Sequence, residues 1–197
     1  MNFIFNYTYS DATGGVFTYA FSTLNALIKN NRIEKKFVVV SLQNKSILEQ
    51  QIIDDKIQFV ILKYHFFQKK LLSISSLLYD VCDLRPKRTR FLWKIACFIN
   101  PYRYFIDSFN ADLLHIPSLV SPGFGMKTPI LVTMYDFQEL YYPEFFTSSN
   151  RRTKAYGFKN SIDESDHIIV SFNHVRNDLL RYFEIKKDKV SICQLFL

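Results

Sequence analysis

PILVTMYDFQELYYPEFF, residues 129–146, is the stretch whose reading decides the fold. Ile130-Leu131-Val132 is an unbroken apolar run, the pattern of a strand buried on both faces. It gives way to Tyr135-Asp136 and then to an acidic-aromatic segment that reaches Pro143-Glu144. In an open parallel sheet, ligands sit outside the carboxyl ends of the strands, and Tyr135 and Asp136 leave this strand at that edge. Two readings of Asp136 stand side by side: a carboxylate that caps the next helical turn, or one that reaches a ligand.

Working outward, further strands are expected over Asn2 to Tyr7, Lys36 to Leu42, Ile57 to Leu62, Asp112 to Ile116, His167 to Val170 and Lys189 to Cys193. Between them run helical patterns. Phe17, Ala20, Phe21, Leu24, Leu27 and Ile28 recur on one face, and a short helix is expected over Ser46 to Ile53. Leu71, Ile74, Leu78 and Val81 form a second stripe, expected to be core. A further helix is expected over Arg151 to Glu164. The last begins after Ser171-Phe172, with Asn173 as its N-cap and Val175, Leu179, Tyr182 and Phe183 on its apolar side. Roughly seven strands alternating with helices, with no hairpin signal, predict one α/β domain: a mostly parallel sheet with helices on both faces.

A chain of 197 residues can bury one substantial core, and 48% apolar with 17% aromatic residues excludes a disordered chain. The net charge of +7 suits an anionic partner (membrane surface, nucleotide phosphate or nucleic acid) without choosing among them. Cys82, Cys97 and Cys193 form no CxxC pair or Cys/His cluster, which points to free thiols in a reducing cytosol. His65, His115, His167 and His174 have no metal-site spacing, and no metal is expected; His115, inside a strand, reads as structural. With no signal-peptide pattern and no apolar run long enough to span a bilayer, the expectation is a cytoplasmic protein, soluble or peripheral.

Three local features bear on binding. Gly14-Gly15 falls between the first strand and its helix, where unpaired N–H groups meet an anion and the lack of side chains lets a phosphate or sugar come close. The pair equally serves a plain turn, and it is not the GxGxxG of a nicotinamide site. Pro117 to Lys127, with Pro122, Gly123 and Gly125, is expected to be an exposed, mobile loop. Leu84 to Ile106 carries Arg85, Lys87, Arg88, Arg90, Lys94 and Arg103 with no acidic residue, interleaved with aromatics including Trp93. Contact with an anionic membrane through Arg85, Lys87, Arg88, Arg90, Trp93 and Lys94 is one reading. A solvated basic loop leading into a core helix is the other, supported by Asn100-Pro101 as N-cap and first-turn proline. Nucleic acid ranks below both, since no recognised motif accompanies the stretch.

Taken in order, four segments carry a family resemblance: Gly14-Gly15, Asp112-Leu113-Leu114-His115-Ile116-Pro117, residues 129–146, and Ser165-Asp166-His167-Ile168-Ile169-Val170-Ser171. The third resembles the "HDL…PE" signature in the N-terminal domain of family-four GT-B glycosyltransferases, and the others fall where that domain has them. The resemblance covers nearly the whole chain. Tyr135 stands where the family usually has histidine.

The resemblance implies a single Rossmann-like domain over residues 1–197, half of a GT-B fold. It implies a retaining hexosyltransferase that moves a sugar from a nucleotide-sugar donor to a glycan or lipid-linked acceptor, in the manner of polysaccharide biosynthesis, with no cofactor. This chain would form the acceptor side, with Gly14, Gly15, Ser171 and Glu144 binding substrate and Asp136 and Tyr135 at the reacting group. Ser171 equally reads as a helix cap. Because an ordinary phenol has a pKa of about 10, Tyr135 is expected to hydrogen-bond rather than act as a base. The family's second domain carries a glutamate pair that contacts the donor, and nothing in this chain corresponds to it. The expectation is therefore an absent C-terminal donor-binding domain, the chain being an N-terminal half, a truncated gene product or a subunit completed by a partner, and weak donor affinity from these residues alone. The alternative is a non-catalytic module that docks on the cytoplasmic face of a membrane or on a partner chain through Leu84 to Ile106.

Overall fold

The computed structural model describes residues 1–8, 15–30, 32–52, 57–83, 90–118 and 123–194. Among them, β1 (Asn2–Tyr7), β2 (Lys35–Val40), β3 (Ile57–Ile61), β4 (Leu113–Ile116), β5 (Ile130–Met134), β6 (His167–Val170) and β7 (Val190–Ile192) form one sheet. Its order is β3-β2-β1-β4-β5-β6-β7, and every neighbouring pair is parallel. The chain winds outward from β1 on one side, then returns to build the other side from β4.

The helices are α1 (Gly15–Ile28), α2 (Leu42–Gln51), α3 (Phe66–Asp83), α4 (Arg90–Ile99), α5 (Pro101–Asp107), α6 (Gln138–Tyr141), α7 (Ser148–Glu164) and α8 (Asn173–Tyr182). Alternation along β1 sorts them. Phe3, Phe5 and Tyr7 join Val38 and Val40 of β2 in one core, closed by Ala20 and Leu24 of α1 and Leu48 of α2. Ile4 points the other way, into a core where β4, β5 and β6 meet Tyr102 of α5, Phe158 of α7 and Leu179 of α8. Helices therefore cover both faces, each fully buried Leu, Ile or Phe contributing about 1.5–3 kcal/mol.

Two aspartates of the quoted segments fix the register. Asp112 and Asp166 precede β4 and β6, and their carboxylates accept the first N–H of the neighbouring strand, from Asn2 (2.6 Å) and Ile130 (2.7 Å). Their own N–H groups donate to Asn2 and Ile130 carbonyls, so each aspartate clamps one residue twice. Both lie at the amino-terminal edge of the sheet and act in folding.

Several local expectations need correction. The loop expected to be mobile is packed over its described part. Phe124 is buried, 4.6 Å centroid to centroid from Tyr79, and the Gly125 N–H donates to Glu164 at 3.1 Å. Of the expected stripe on α3, Leu71, Ile74 and Val81 face solvent and Leu78 packs, while Leu72, Ser75, Tyr79 and Cys82 turn inward. The apolar residues of α3 gather on one broad face, but it is the more polar side, with Ser75 and Tyr79, that turns inward, so periodicity picks the face that meets solvent. The Tyr79 hydroxyl, donated to Glu164 at 3.1 Å, belongs to the face that packs. Alpha-2 begins at Leu42 rather than Ser46, because Ser41 accepts the Asn44 N–H as N-cap. Asn100 does cap α5, accepting the Tyr102 N–H at 3.0 Å ahead of Pro101. No helix of the described residues is long and apolar enough to cross a membrane.

Candidate functional site

The strand order reverses between β1 and β4, and the crevice at that reversal opens at the carboxyl edge. Three strand ends and the first turns of one helix come together there. Leaving β5, Tyr135 donates its hydroxyl to the Pro117 carbonyl beyond β4, at 2.5 Å. Its ring meets that of Tyr19 edge-on, with centroids 4.5 Å apart and planes at 75°. The Tyr19 phenol in turn interacts with the side chain of Ser171, just past β6 and 7% exposed. Burial raises the Tyr19 phenol pKa, while Ser171 pulls it back down. Tyr19 lies one turn into α1, the helix that Gly15 opens; Gly14 lies outside the described residues.

Next to this knot is an open cleft of about 420 Å³, lined by Asp136, Phe137, Gln138, Tyr141, Tyr142 and His174. Phe137 forms its base, buried against Phe158 and Phe183 at 5.3 and 5.6 Å between centroids. The Tyr141 hydroxyl donates to both oxygens of the buried Asp178, at 2.8 and 2.7 Å, which holds the ring and raises the phenol pKa. Phe172 and His174 stack, 5.5 Å apart and 15° from parallel, at the start of α8. Polar groups over an aromatic surface of this kind fit a hydroxyl-rich ring with one apolar face.

The two readings of Asp136 now separate. Alpha-6 begins at Gln138, the position before it is Phe137, and no side chain caps it. Asp136 accepts the exposed Gln138 amide at 3.0 Å, and its carboxylate lines the cleft. Ser171 and Asn173 also give up their proposed capping. Asn173 is the first residue of α8, Phe172 holds the cap position without a side-chain bond, and the Ser171 hydroxyl engages Tyr19. Tyr135 commits its proton to a backbone carbonyl, which suits an orienting group and not a base.

The other sequence candidates fall apart from this group. Glu144 is exposed on the short 3-10 turn Pro143–Phe145, beyond the residues that line the cleft. Arg85, Lys87 and Arg88 lie outside the described residues; Arg90 opens α4, and Trp93 and Lys94 are exposed along it. Tyr19, Tyr141 and His174 carried no signal in the sequence. Tyr19 sits beside, not on, the apolar stripe of α1, and the Tyr141–Asp178 bond spans 37 positions. Among the described residues no three His, Cys, Asp or Glu side chains group closely enough to hold a metal ion.

His115 lies under the edge and serves the core. It is buried, hydrogen-bonded to Thr133 Oγ1 at 2.8 Å, and burial pushes its pKa down to about 3. The unfolded chain binds a proton here below about 6.5, while the folded chain resists it until far lower. The stabilisation is thus complete above pH 6.5 and is lost as pH falls toward 3, by up to about 1.4 kcal/mol per pH unit. Thermal melts from pH 7 to 4 should show a falling Tm that flattens in His115→Gln; equal slopes in the two proteins would refute the assignment.

The model of Glycosyltransferase Family 4 matches residues 13–194. No curated protein matches the chain. Among solved structures, it is similar to a glycosyltransferase from Rickettsia africae ESF-5, at 11% identity and a TM-score of 0.42. That similarity covers 98% of this chain and 42% of the other.

Proposed function

This chain belongs to glycosyltransferase family 4, and from that membership we propose that it is the acceptor-side half of a retaining hexosyltransferase. The whole enzyme moves a sugar from a nucleotide-sugar to a glycan or lipid-linked acceptor. The observation that carries this reading is the uncapped Asp136 carboxylate in a cleft walled by Tyr141, Tyr142 and His174, beside the Tyr135–Tyr19–Ser171 knot. Asp136 and Gln138 take acceptor hydroxyls, and the aromatic rings take the apolar face of the sugar. Tyr135 and Tyr19 hold the strand ends in place, Gly15 and Ser171 border the approach of the donor phosphate, and Glu144 meets the acceptor beyond the cleft. Holding the attacking hydroxyl in line is worth several kcal/mol of barrier without chemistry from these residues.

The donor-binding half comes from outside these residues, as a further domain or a partner chain. Co-expression with that half, followed by a screen of nucleotide-sugars and glycan acceptors, tests the reading. Transfer is expected only when both halves are present. Transfer by the other half alone, or none by the pair with any donor, would overturn it.

A further inference from the structure

Alpha-3 and α4 pack along each other through Leu78, Tyr79, Ala96 and Cys97, and both turn apolar residues to solvent. On α3, Phe66, Phe67, Leu71, Ile74, Leu77 and Val81 fall within one arc of the helix, and Phe67 is 77% exposed. On α4, Phe91 and Phe98, at 72% and 70%, lie two turns apart with Lys94 between them. A monomer rarely leaves so much contiguous apolar surface in water. Among the described side chains the charges around it share one sign. Lys63, Lys69 and Lys70 flank the start of α3, with Lys70 Nζ 4.5 Å from the Phe66 ring centroid, and Lys94 stands on α4. Asp80 is turned away and accepts the Tyr156 hydroxyl at 2.8 Å.

We infer that this face docks on an anionic lipid surface. Protruding aromatic and aliphatic side chains enter the acyl boundary while lysines reach the headgroups. A second copy is a poorer occupant, because it would bring two basic faces together. The orientation bears on the acceptor. All strands are parallel, so α3 leaves β3 at the carboxyl edge, and Phe66-Phe67 open it on the same edge as Asp136. A membrane on this face borders the carboxyl edge on which the candidate site opens, with β3 four strands from β5. Resting on the reading above, this selects a lipid-linked acceptor over a free glycan.

The test is sedimentation of the chain with phosphatidylcholine vesicles, with and without phosphatidylglycerol, at low and high salt. Binding is expected to the anionic vesicles, weakened by salt, and at least about tenfold lower in both Lys69→Glu/Lys70→Glu and Phe67→Ser/Leu77→Ser. No binding at low salt, or equal binding by the variants, overturns the proposal. So does a concentration-dependent dimer lost in Phe67→Ser/Leu77→Ser without vesicle binding, which assigns the face to a second copy. Transfer to a water-soluble acceptor by the completed enzyme is expected to survive both variants. Loss of vesicle binding and loss of transferase activity are thereby read separately.

Discussion

Asp136→Ala in the completed enzyme is expected to lower kcat/KM for the acceptor by about 10- to 100-fold, the range for losing one positioned polar contact in a transition state. KM for the donor should hardly move, because Asp136 lies in the cleft and not at the start of α1. Its side chain forms no cap and its bond is to an exposed amide, so the melting temperature should stay near that of the parent. That separation of stability from activity distinguishes a substrate contact from a loop brace. Unchanged acceptor kinetics would remove Asp136 from the site, and a large fall in Tm would return it to a structural role.

Gly125→Ala is the second large effect, and it falls on folding. Gly125 has φ of +64°, and an added Cβ would lie 2.2 Å from Cys97 Sγ and 2.7 Å from Cys97 Cβ. Alanine pays both for the left-handed backbone and for the overlap with the buried Cys97, together about 2–4 kcal/mol. The same residue donates to Glu164, whose other oxygen takes the Tyr79 hydroxyl, so displacement loosens the packing of α3 on α7. The expected change in Tm is about −5 to −15 °C for a chain of this size. Adding Cys97→Ala removes the sulfur but not the Cβ, and should restore part of the loss. A Tm within about two degrees of the parent, followed by circular dichroism, would show that the turn relaxes freely.

Strand-level organisation was legible because parallel strands buried on both faces write themselves as apolar runs. Ile130-Leu131-Val132 and Val38-Val39-Val40 need no partner to be recognised. Tyr135 and Asp136 were legible for a related reason: a polar pair directly after such a run must emerge at the carboxyl edge. The outer helices were harder. Alpha-3 carries most of its apolar residues on the side that meets solvent, and the choice of inner face rests on Tyr79 reaching Glu164 and Tyr156 reaching Asp80, contacts 85 and 76 positions apart. The Tyr19–Ser171 interaction and the Tyr141–Asp178 bond that shape the site are long-range in the same way. Local pattern finds strands and edges. It does not find the tertiary pairs that decide which side chains are left to meet a ligand.

The claim that the carboxyl edge of β5 and β6 receives the acceptor is tested most directly by amide chemical-shift mapping on this chain alone. The probes are the acceptor found by the transfer screen and its nucleotide-sugar donor, titrated separately. Acceptor binding here predicts shifts at Tyr135 to Gln138, Tyr141, Ser171 and the first turn of α1, with the donor alone producing little. Acceptor shifts confined to other surfaces, or saturable donor binding at Asp136 with no response to acceptor, would contradict it.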